Sequence, residues 1–165
     1  MRREPAEGKA MRTVLHVGPS NTKGGMGAVI QLLAANPPDG WRAEMMASHA
    51  DGRPLRVLQA WWRVRGELAQ RLQRGDVDVV HIHTAKRWSW KRKIGLIKIA
   101  QKAGFPDVLS LHSGDFDRHC KERGPQVHLL CSHLHTVVLA DVWLAWLSPW
   151  LGKSRVILNP VPELS

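Results

Sequence analysis

The chain has 165 residues, of which 44% are hydrophobic, and it carries a formal net charge of +10 at pH 7. This length suits one domain, and the hydrophobic content is sufficient for a core, which excludes wholesale disorder. No apolar run approaches the roughly 18 residues that a membrane-spanning helix needs, so we expect a soluble or peripherally attached protein. The positive charge favours anionic partners: phosphorylated substrates, acidic lipid headgroups or nucleic acid. Two cysteines and no secretory signal pattern lead us to expect a cytoplasmic location.

The first half of the chain alternates short apolar runs with longer helical ones. Residues 1–11 are polar and aperiodic, and we expect a disordered tail or an extended start there. The run at 13–18 predicts a buried strand that ends in Gly18. The following elements are predicted in this order: a helix at about 28–35, a strand at 41–48, a long helix at 54–74 and a strand at 77–84.

The second half continues the alternation. The predicted elements are a helix at 88–103, a strand at 108–114, helical segments over about 115–133, a strand at 135–140, a short helix around VWLAWL and an extended end at 155–162. This order predicts βαβ units, and therefore an α/β fold with a doubly wound, Rossmann-like parallel sheet over 12–162. Such sheets bind ligands beyond the carboxyl ends of their strands, which points to the loops after Gly18, His83 and His112.

The loop between the first strand and the first helix contains Gly24, Gly25 and Gly27. Glycines there let a ligand approach the backbone, and the helix N-terminus offers free N–H groups to a phosphate. The spacing matches neither the dinucleotide-binding fingerprint nor the P-loop. A ligand contact and a merely tight turn therefore remain alternatives.

The histidines are the other candidates for chemistry. His112 ends a predicted strand, where it is either a functional group or an ordinary hydrogen-bonded histidine. His81 and His83 are two residues apart on a strand and share one face, but the sequence places no third metal ligand beside them. A later cluster lacks the spacing of a zinc finger or ribbon: Cys131, His133 and His135. We therefore expect no metal site.

Four segments, in chain order, resemble retaining glycosyltransferases of family 4, which have the two-domain GT-B fold. VLHVGPSNTKGGMGAVIQLL is similar to the family's first strand and GG-containing loop, and VDVVHIHTA to its third-strand motif. VLSLHSGDF resembles the strand that ends in a histidine beside the acceptor site. VVLADVWLAWLSPWLGKSRVILNPV resembles the exit from the first domain. Together these segments extend over about residues 12–162.

The resemblance implies the N-terminal, acceptor-side half of a GT-B enzyme. Such an enzyme transfers a sugar, with retention, from a nucleotide-sugar co-substrate to a glycan or lipid-linked acceptor, and needs no metal or other cofactor. His112 corresponds to the active-site histidine, and Asn159 to the interdomain turn. The implied substrate-binding residues are Gly25, Gly27, His83, Ser113 and Asp115, the last of which has helix capping as its alternative role. The donor-binding half is expected from a C-terminal domain or a partner chain, so the chain alone is expected to be inactive.

Basic residues accumulate between Val79 and Pro106, where no acidic residue occurs. Helical spacing separates an apolar stripe with Trp90 and Ile97 from a basic patch. The patch comprises Lys91, Arg92, Lys98 and Lys102. Solvated surface, docking to the anionic inner face of a membrane, and nucleic-acid binding are the alternatives. Nucleic acid ranks behind the membrane because no recognition motif is present. A non-catalytic Rossmann-like module that binds anionic lipid or nucleic acid is the alternative function.

Overall fold

The computed structural model of the chain describes residues 11–19, 24–48, 54–85, 88–105 and 107–160. Almost all of the predicted N-terminal tail (residues 1–10) and the last residues of the predicted extended end (161 and 162) lie outside this description.

The described residues form six strands and five helices. The strands are β1 (Arg12–Gly18), β2 (Trp41–Ala47), β3 (Val79–Thr84), β4 (Asp107–Leu111), β5 (His135–Val138) and β6 (Lys153–Val156). The helices are α1 (Gly25–Ala35), α2 (Pro54–Arg74), α3 (Trp88–Lys102), α4 (Phe116–Cys131) and α5 (Asp141–Leu147).

All six strands pair in parallel, in the order β2-β1-β3-β4-β5-β6. The predicted α/β fold with a doubly wound, Rossmann-like parallel sheet is therefore confirmed. From β1 the chain crosses to β2 on one side of β1. It then crosses back to β3 on the other side, and β4, β5 and β6 follow in that second direction. The switch in strand order lies between β1 and β3, and a ligand of such a sheet binds at the carboxyl ends of those strands.

Three predicted elements differ from the observed ones by three or more residues at one end, each for a local reason. α1 begins at Gly25 rather than near residue 28. The predicted start was too late because glycines, which are poor helix formers, occupy the first turn. β4 ends at Leu111 rather than at residue 114, since a turn follows in which the Phe116 N–H donates to Ser113 O. The last strand, β6, spans Lys153–Val156 at the edge of the sheet. Its residues are mostly polar, so the sequence gives little apolar signal for a strand there.

The two faces of the sheet differ in chemistry. One face packs against α2, α3, α4 and α5 in a continuous apolar core, to which the central strands contribute six side chains: Leu15, Val17, Val80, Ile82, Leu109 and Leu111. Alternation along each strand places His16, His81 and His83 on the opposite face. The crossover rule places α1 on that face, because the β1–α1–β2 unit runs in the opposite direction to the other crossovers.

Gly18 lets α1 close over the end of β1. A Cβ at this position would press on Cδ1 of Ile30 in α1 and would lie 3.2 Å from Cβ of His83. Only glycine fits at the end of β1, because Ile30 of α1 and His83 of the neighbouring strand β3 occupy the space where a side chain would lie.

We predict opposite effects for the same substitution at two glycines. Gly152→Ala is expected to lower the free energy of unfolding by about 1–3 kcal/mol, because the new Cβ would lie 2.8 Å from the carbonyl oxygen of Cys131 and nearer still to that of Ser132. Gly66→Ala, exposed within α2 with open space around its Cβ, should raise it by about 1 kcal/mol. Urea unfolding of both variants checks this prediction, and equal effects would contradict the packing at Gly152.

Candidate functional site

Four histidines meet beside the switch in strand order. His16 comes from β1, His81 and His83 from β3, and His112 directly follows β4. Nδ1 of His16 lies 3.1 Å from Nε2 of His83, and Nδ1 of His83 lies 3.0 Å from Nε2 of His112. The rings of His81 and His83 are stacked, with their centroids 4.1 Å apart. The sheet therefore holds a continuous array of imidazoles that leads toward its carboxyl edge.

Backbone pairing and a hydroxyl hold this array in place. His16 is the register partner of His81, and His83 that of Ser110. Nε2 of His81 lies 2.7 Å from Oγ of Ser110. The backbone N–H of His112 donates to Thr84 O at 2.8 Å, which extends the β3–β4 pairing by one residue. Strands thus carry three of the four rings, and His112 is held by its backbone hydrogen bond to β3.

Burial keeps these imidazoles neutral. It lowers the pKa of His16 and of His112 to about 4. Burial, with the charges of His16 and His112 as smaller causes, lowers the pKa of His81 to about 3. The pKa of His83 is also well below its usual range, mainly through burial. At neutral pH each ring therefore offers one nitrogen as donor and the other as acceptor.

A buried lysine lies close to the same edge. Lys93 of α3 has no exposed surface, and its Nζ donates a hydrogen bond to Oγ of Ser48, the residue after β2. Burial, and to a lesser extent the charge of Arg92, lowers the pKa of Lys93 to about 7. Its charge also contributes to the low pKa of His83. Within the described ranges no carboxylate pairs with it, so Ser48 is the hydrogen-bond partner that the structure gives this buried amine.

His83, which was predicted to bind substrate, is in direct contact with His112, the predicted catalytic residue. Ser113, half-buried, follows His112 in the chain, and Asp115 occupies the exposed N-cap position of α4. Gly25 and Gly27 lie in the first turn of α1, exposed and buried respectively. Asn159 is exposed beyond the end of β6.

Sequence reasoning missed His16, Ser110, Ser48 and Lys93. His16 interrupts an otherwise apolar buried strand, and this polar residue among apolar ones is the sequence signal for it. Lys93 falls three residues after Trp90 on the buried stripe of α3, a position where a charged residue is unexpected. Ser48 and Ser110 carry no local signal, because only the pairing of strands distant in sequence gives them their neighbours.

The basic patch of α3 is mostly exposed. Lys91, Lys98 and Lys102 are exposed, whereas Arg92 is half-buried and burial lowers its pKa. Trp88 is 71% exposed, and the Lys91 ammonium lies 4.7 Å from the centroid of its ring. The neighbouring helix α2 adds a second exposed tryptophan, Trp62 at 59%, and the Arg65 guanidinium lies 5.7 Å from its ring centroid.

The later cysteine–histidine cluster does not converge on a metal site among the described residues. Cys131 is buried, whereas His133 and His135 are exposed. Burial raises the pKa of Cys131 to about 12, so this thiol stays protonated at neutral pH and is a poor ligand or nucleophile.

None of the described helices is both long and apolar enough to cross a membrane.

These features define a Rossmann-like α/β domain with a histidine-lined carboxyl edge beside its switch in strand order. No family model matches the chain, and no curated protein matches it.

Proposed function

We propose that this domain is the acceptor-binding half of a retaining glycosyltransferase of the GT-B type. One observation carries the proposal: His112 contacts His83 at 3.0 Å, so two of the motifs that resemble family 4 meet at one edge of the sheet. Their meeting place is the edge where a doubly wound fold binds its ligands. His112 then assists at the reacting sugar, with Ser113 and Asp115 beside it as acceptor-binding residues.

The chemistry of the edge suits a saccharide. Neutral imidazoles and a serine hydroxyl can each donate and accept a hydrogen bond, as the hydroxyls of a sugar require. The first turn of α1, with Gly25 and Gly27, offers backbone N–H groups to an anionic group such as the donor diphosphate. Lys93 lies buried beneath the same edge, and with a pKa of about 7 it adds partial positive charge there.

The donor half completes the proposed enzyme. In this proposal a C-terminal domain or a partner chain binds the nucleotide-sugar, and Asn159 lies in the turn that leads to it. The chain alone is then expected to bind an acceptor but not to transfer sugar. The acceptor is a glycan or a lipid-linked saccharide.

An array of immobilised oligosaccharides and lipid-linked saccharides tests the acceptor site. We expect the purified chain to bind a subset of them and His112→Ala to weaken that binding about tenfold, because removing a hydrogen-bonding group from a site costs about 1–2 kcal/mol. His135→Ala is the matched control, since His135 is exposed at the opposite, amino end of β5. Equal binding by both variants would remove His112 from the site.

A second candidate activity is docking to an anionic membrane surface, which we propose for the exposed face of α3. The exposed Trp88 beside Lys91 favours it, because tryptophan and lysine together suit the interface of an anionic bilayer. The protein would then lie on the inner, cytoplasmic face of the membrane, near a lipid-linked acceptor. A nucleic-acid partner is the competing explanation of the same charge.

Vesicle sedimentation separates these partners. The chain should bind vesicles with 30% anionic lipid more tightly than neutral ones, by about 1 kcal/mol per basic residue at the surface. Lys91→Ala with Trp88→Ala should weaken this binding at least fivefold, whereas Lys153→Ala on the exposed β6 should have little effect. Tighter binding to a DNA oligonucleotide than to anionic vesicles would overturn the membrane assignment.

A further inference from the structure

Three imidazoles on the histidine face of the sheet converge on one point. One ring nitrogen from each of His16, His81 and His83 lies within 4.8 Å of the other two. His16 and His81 are register partners on β1 and β3, and His83 follows two residues later on the same face. The sequence suggested only the pair on β3, and the folded sheet supplies the third ring from a strand 65 residues earlier.

The other ring nitrogens have partners of the kind that metal-bound histidines use. Nε2 of His81 contacts Ser110 Oγ at 2.7 Å, and Nδ1 of His83 contacts Nε2 of His112 at 3.0 Å. A histidine that binds a metal commonly donates its second N–H to such an outer partner, which fixes its tautomer and orientation. This leaves Nδ1 of His81 and Nε2 of His83 for a shared ligand.

We propose that His16, His81 and His83 bind one divalent transition-metal ion, for which Zn²⁺ is the best match. The donor set contains three imidazole nitrogens and no carboxylate, which suits Zn²⁺, Cu²⁺ or Ni²⁺ and disfavours Mg²⁺ and Ca²⁺. Zn–N bonds of about 2.0–2.1 Å place the ligand nitrogens of a tetrahedral site about 3.4 Å apart. Nδ1 of His16 and Nε2 of His83 are already 3.1 Å apart, and the three ligand nitrogens all lie within 4.8 Å of one another, so the His81 ring needs to shift by at most about 1.4 Å.

Such an ion would cross-link β1 and β3 at the switch in strand order. Three protein ligands leave a fourth tetrahedral position for a water molecule or an oxygen of a ligand. Ser110 and His112 are positioning residues in this proposal, because they act on the metal through His81 and His83. His83 and His112 belong to both the metal site and the acceptor site, but zinc binding is measured without any saccharide, so either proposal can fail while the other stands.

The test uses the whole chain, freed of metal by dialysis against EDTA and then against chelator-free buffer. Titration with Zn²⁺ in competition with a chromophoric chelator should give one equivalent with a submicromolar Kd. Co²⁺ should give the visible absorption bands of a tetrahedral site. His81→Ala should weaken zinc binding more than about 100-fold, and Ser110→Ala about tenfold, as expected for the loss of a ligand and of its outer partner.

His81 is the preferred position because its side chain keeps more solvent-exposed surface than those of His16 and His83. The matched control is the triple variant His128→Ala, His133→Ala, His135→Ala, whose histidines are all exposed. It should bind zinc like the wild type, and circular dichroism should show both variants folded. Imidazole ¹⁵N shifts of the wild-type chain provide a readout that needs no substitution, since zinc should move Nδ1 of His16 and Nε2 of His83.

Three results would overturn the proposal: no uptake of zinc at micromolar concentration, zinc affinity unchanged in His81→Ala, or loss of the site in the surface triple variant. The first would reduce the cluster to a hydrogen-bonded array of imidazoles. The third would place the metal on surface histidines.

Discussion

Replacing Lys93 with methionine is expected to stabilise the protein at pH 7 by about 3 kcal/mol. Burial lowers the pKa of Lys93 from 10.5 to about 7, and at about 1.4 kcal/mol per pKa unit this opposes folding by roughly 4 kcal/mol. Methionine fills a similar volume without a charge, and the loss of the hydrogen bond to Ser48 takes back about 1 kcal/mol. Urea unfolding at pH 7 measures the difference.

The pH dependence of this gain identifies its cause. Between pH 7 and 10.5 the unfolded chain binds a proton at Lys93 that the folded chain lacks, so the stability of the wild type rises with pH across this window. The advantage of Lys93→Met should therefore shrink as the pH approaches 10.5. Lys98→Met, at an exposed position of the same helix, should change stability by less than about 0.5 kcal/mol. A destabilised Lys93→Met at pH 7 would show that the lysine has a charged partner in the folded protein.

Acid is expected to unfold the domain between about pH 6.5 and 4, with EDTA present. The pKa of His16 falls to about 4 and that of His81 to about 3 on folding, because burial disfavours the charged rings. Their neutral forms are favoured in the folded state, so this stability is fully present above 6.5 and is lost as the pH falls toward the folded values. For His16 alone the loss approaches about 3 kcal/mol, a large share of a typical 5–15 kcal/mol.

A single substitution separates this effect from general acid denaturation. His16→Asn removes one buried titrating ring, and it should flatten the fall in stability between pH 6.5 and 4. His135→Asn, on the exposed end of β5, should leave the slope as it is in the wild type. Circular dichroism during urea unfolding at four pH values gives both slopes, and identical slopes for the wild type and His16→Asn would contradict the buried, neutral state of His16.

The fold was predictable because its signals are local. Apolar runs such as 13–18 mark buried strands whatever their partners, and Gly75 and Gly104 end helices in left-handed conformations that glycine adopts readily. The boundaries that failed lie where local signals weaken: the glycine-rich start of α1 and the polar edge strand β6. The strand order was only partly predictable. The alternation of strands and helices predicts parallel strands, but it does not predict that β3 lies beside β1.

The site was less predictable because it depends on pairing between distant strands. The motifs indicated His83 and His112 separately, and the contact between them needs the β3–β4 register. His16 joins them only because β1 lies on the other side of β3. Lys93 belonged to a basic run that suggested solvated charge, whereas the helical period turns this one side chain into the interior.

Locating the saccharide-binding surface is the most direct test of the proposed acceptor domain. A ¹H–¹⁵N correlation titration of the labelled chain with the array saccharide that it binds most tightly would locate the site. The proposal predicts shifts concentrated at the amides of the carboxyl edge, namely Gly18, Thr84, His112 and Ser113, with the opposite edge around Trp41 and His135 unchanged. An array without any bound saccharide, or shifts confined to α2 and α3, would contradict it.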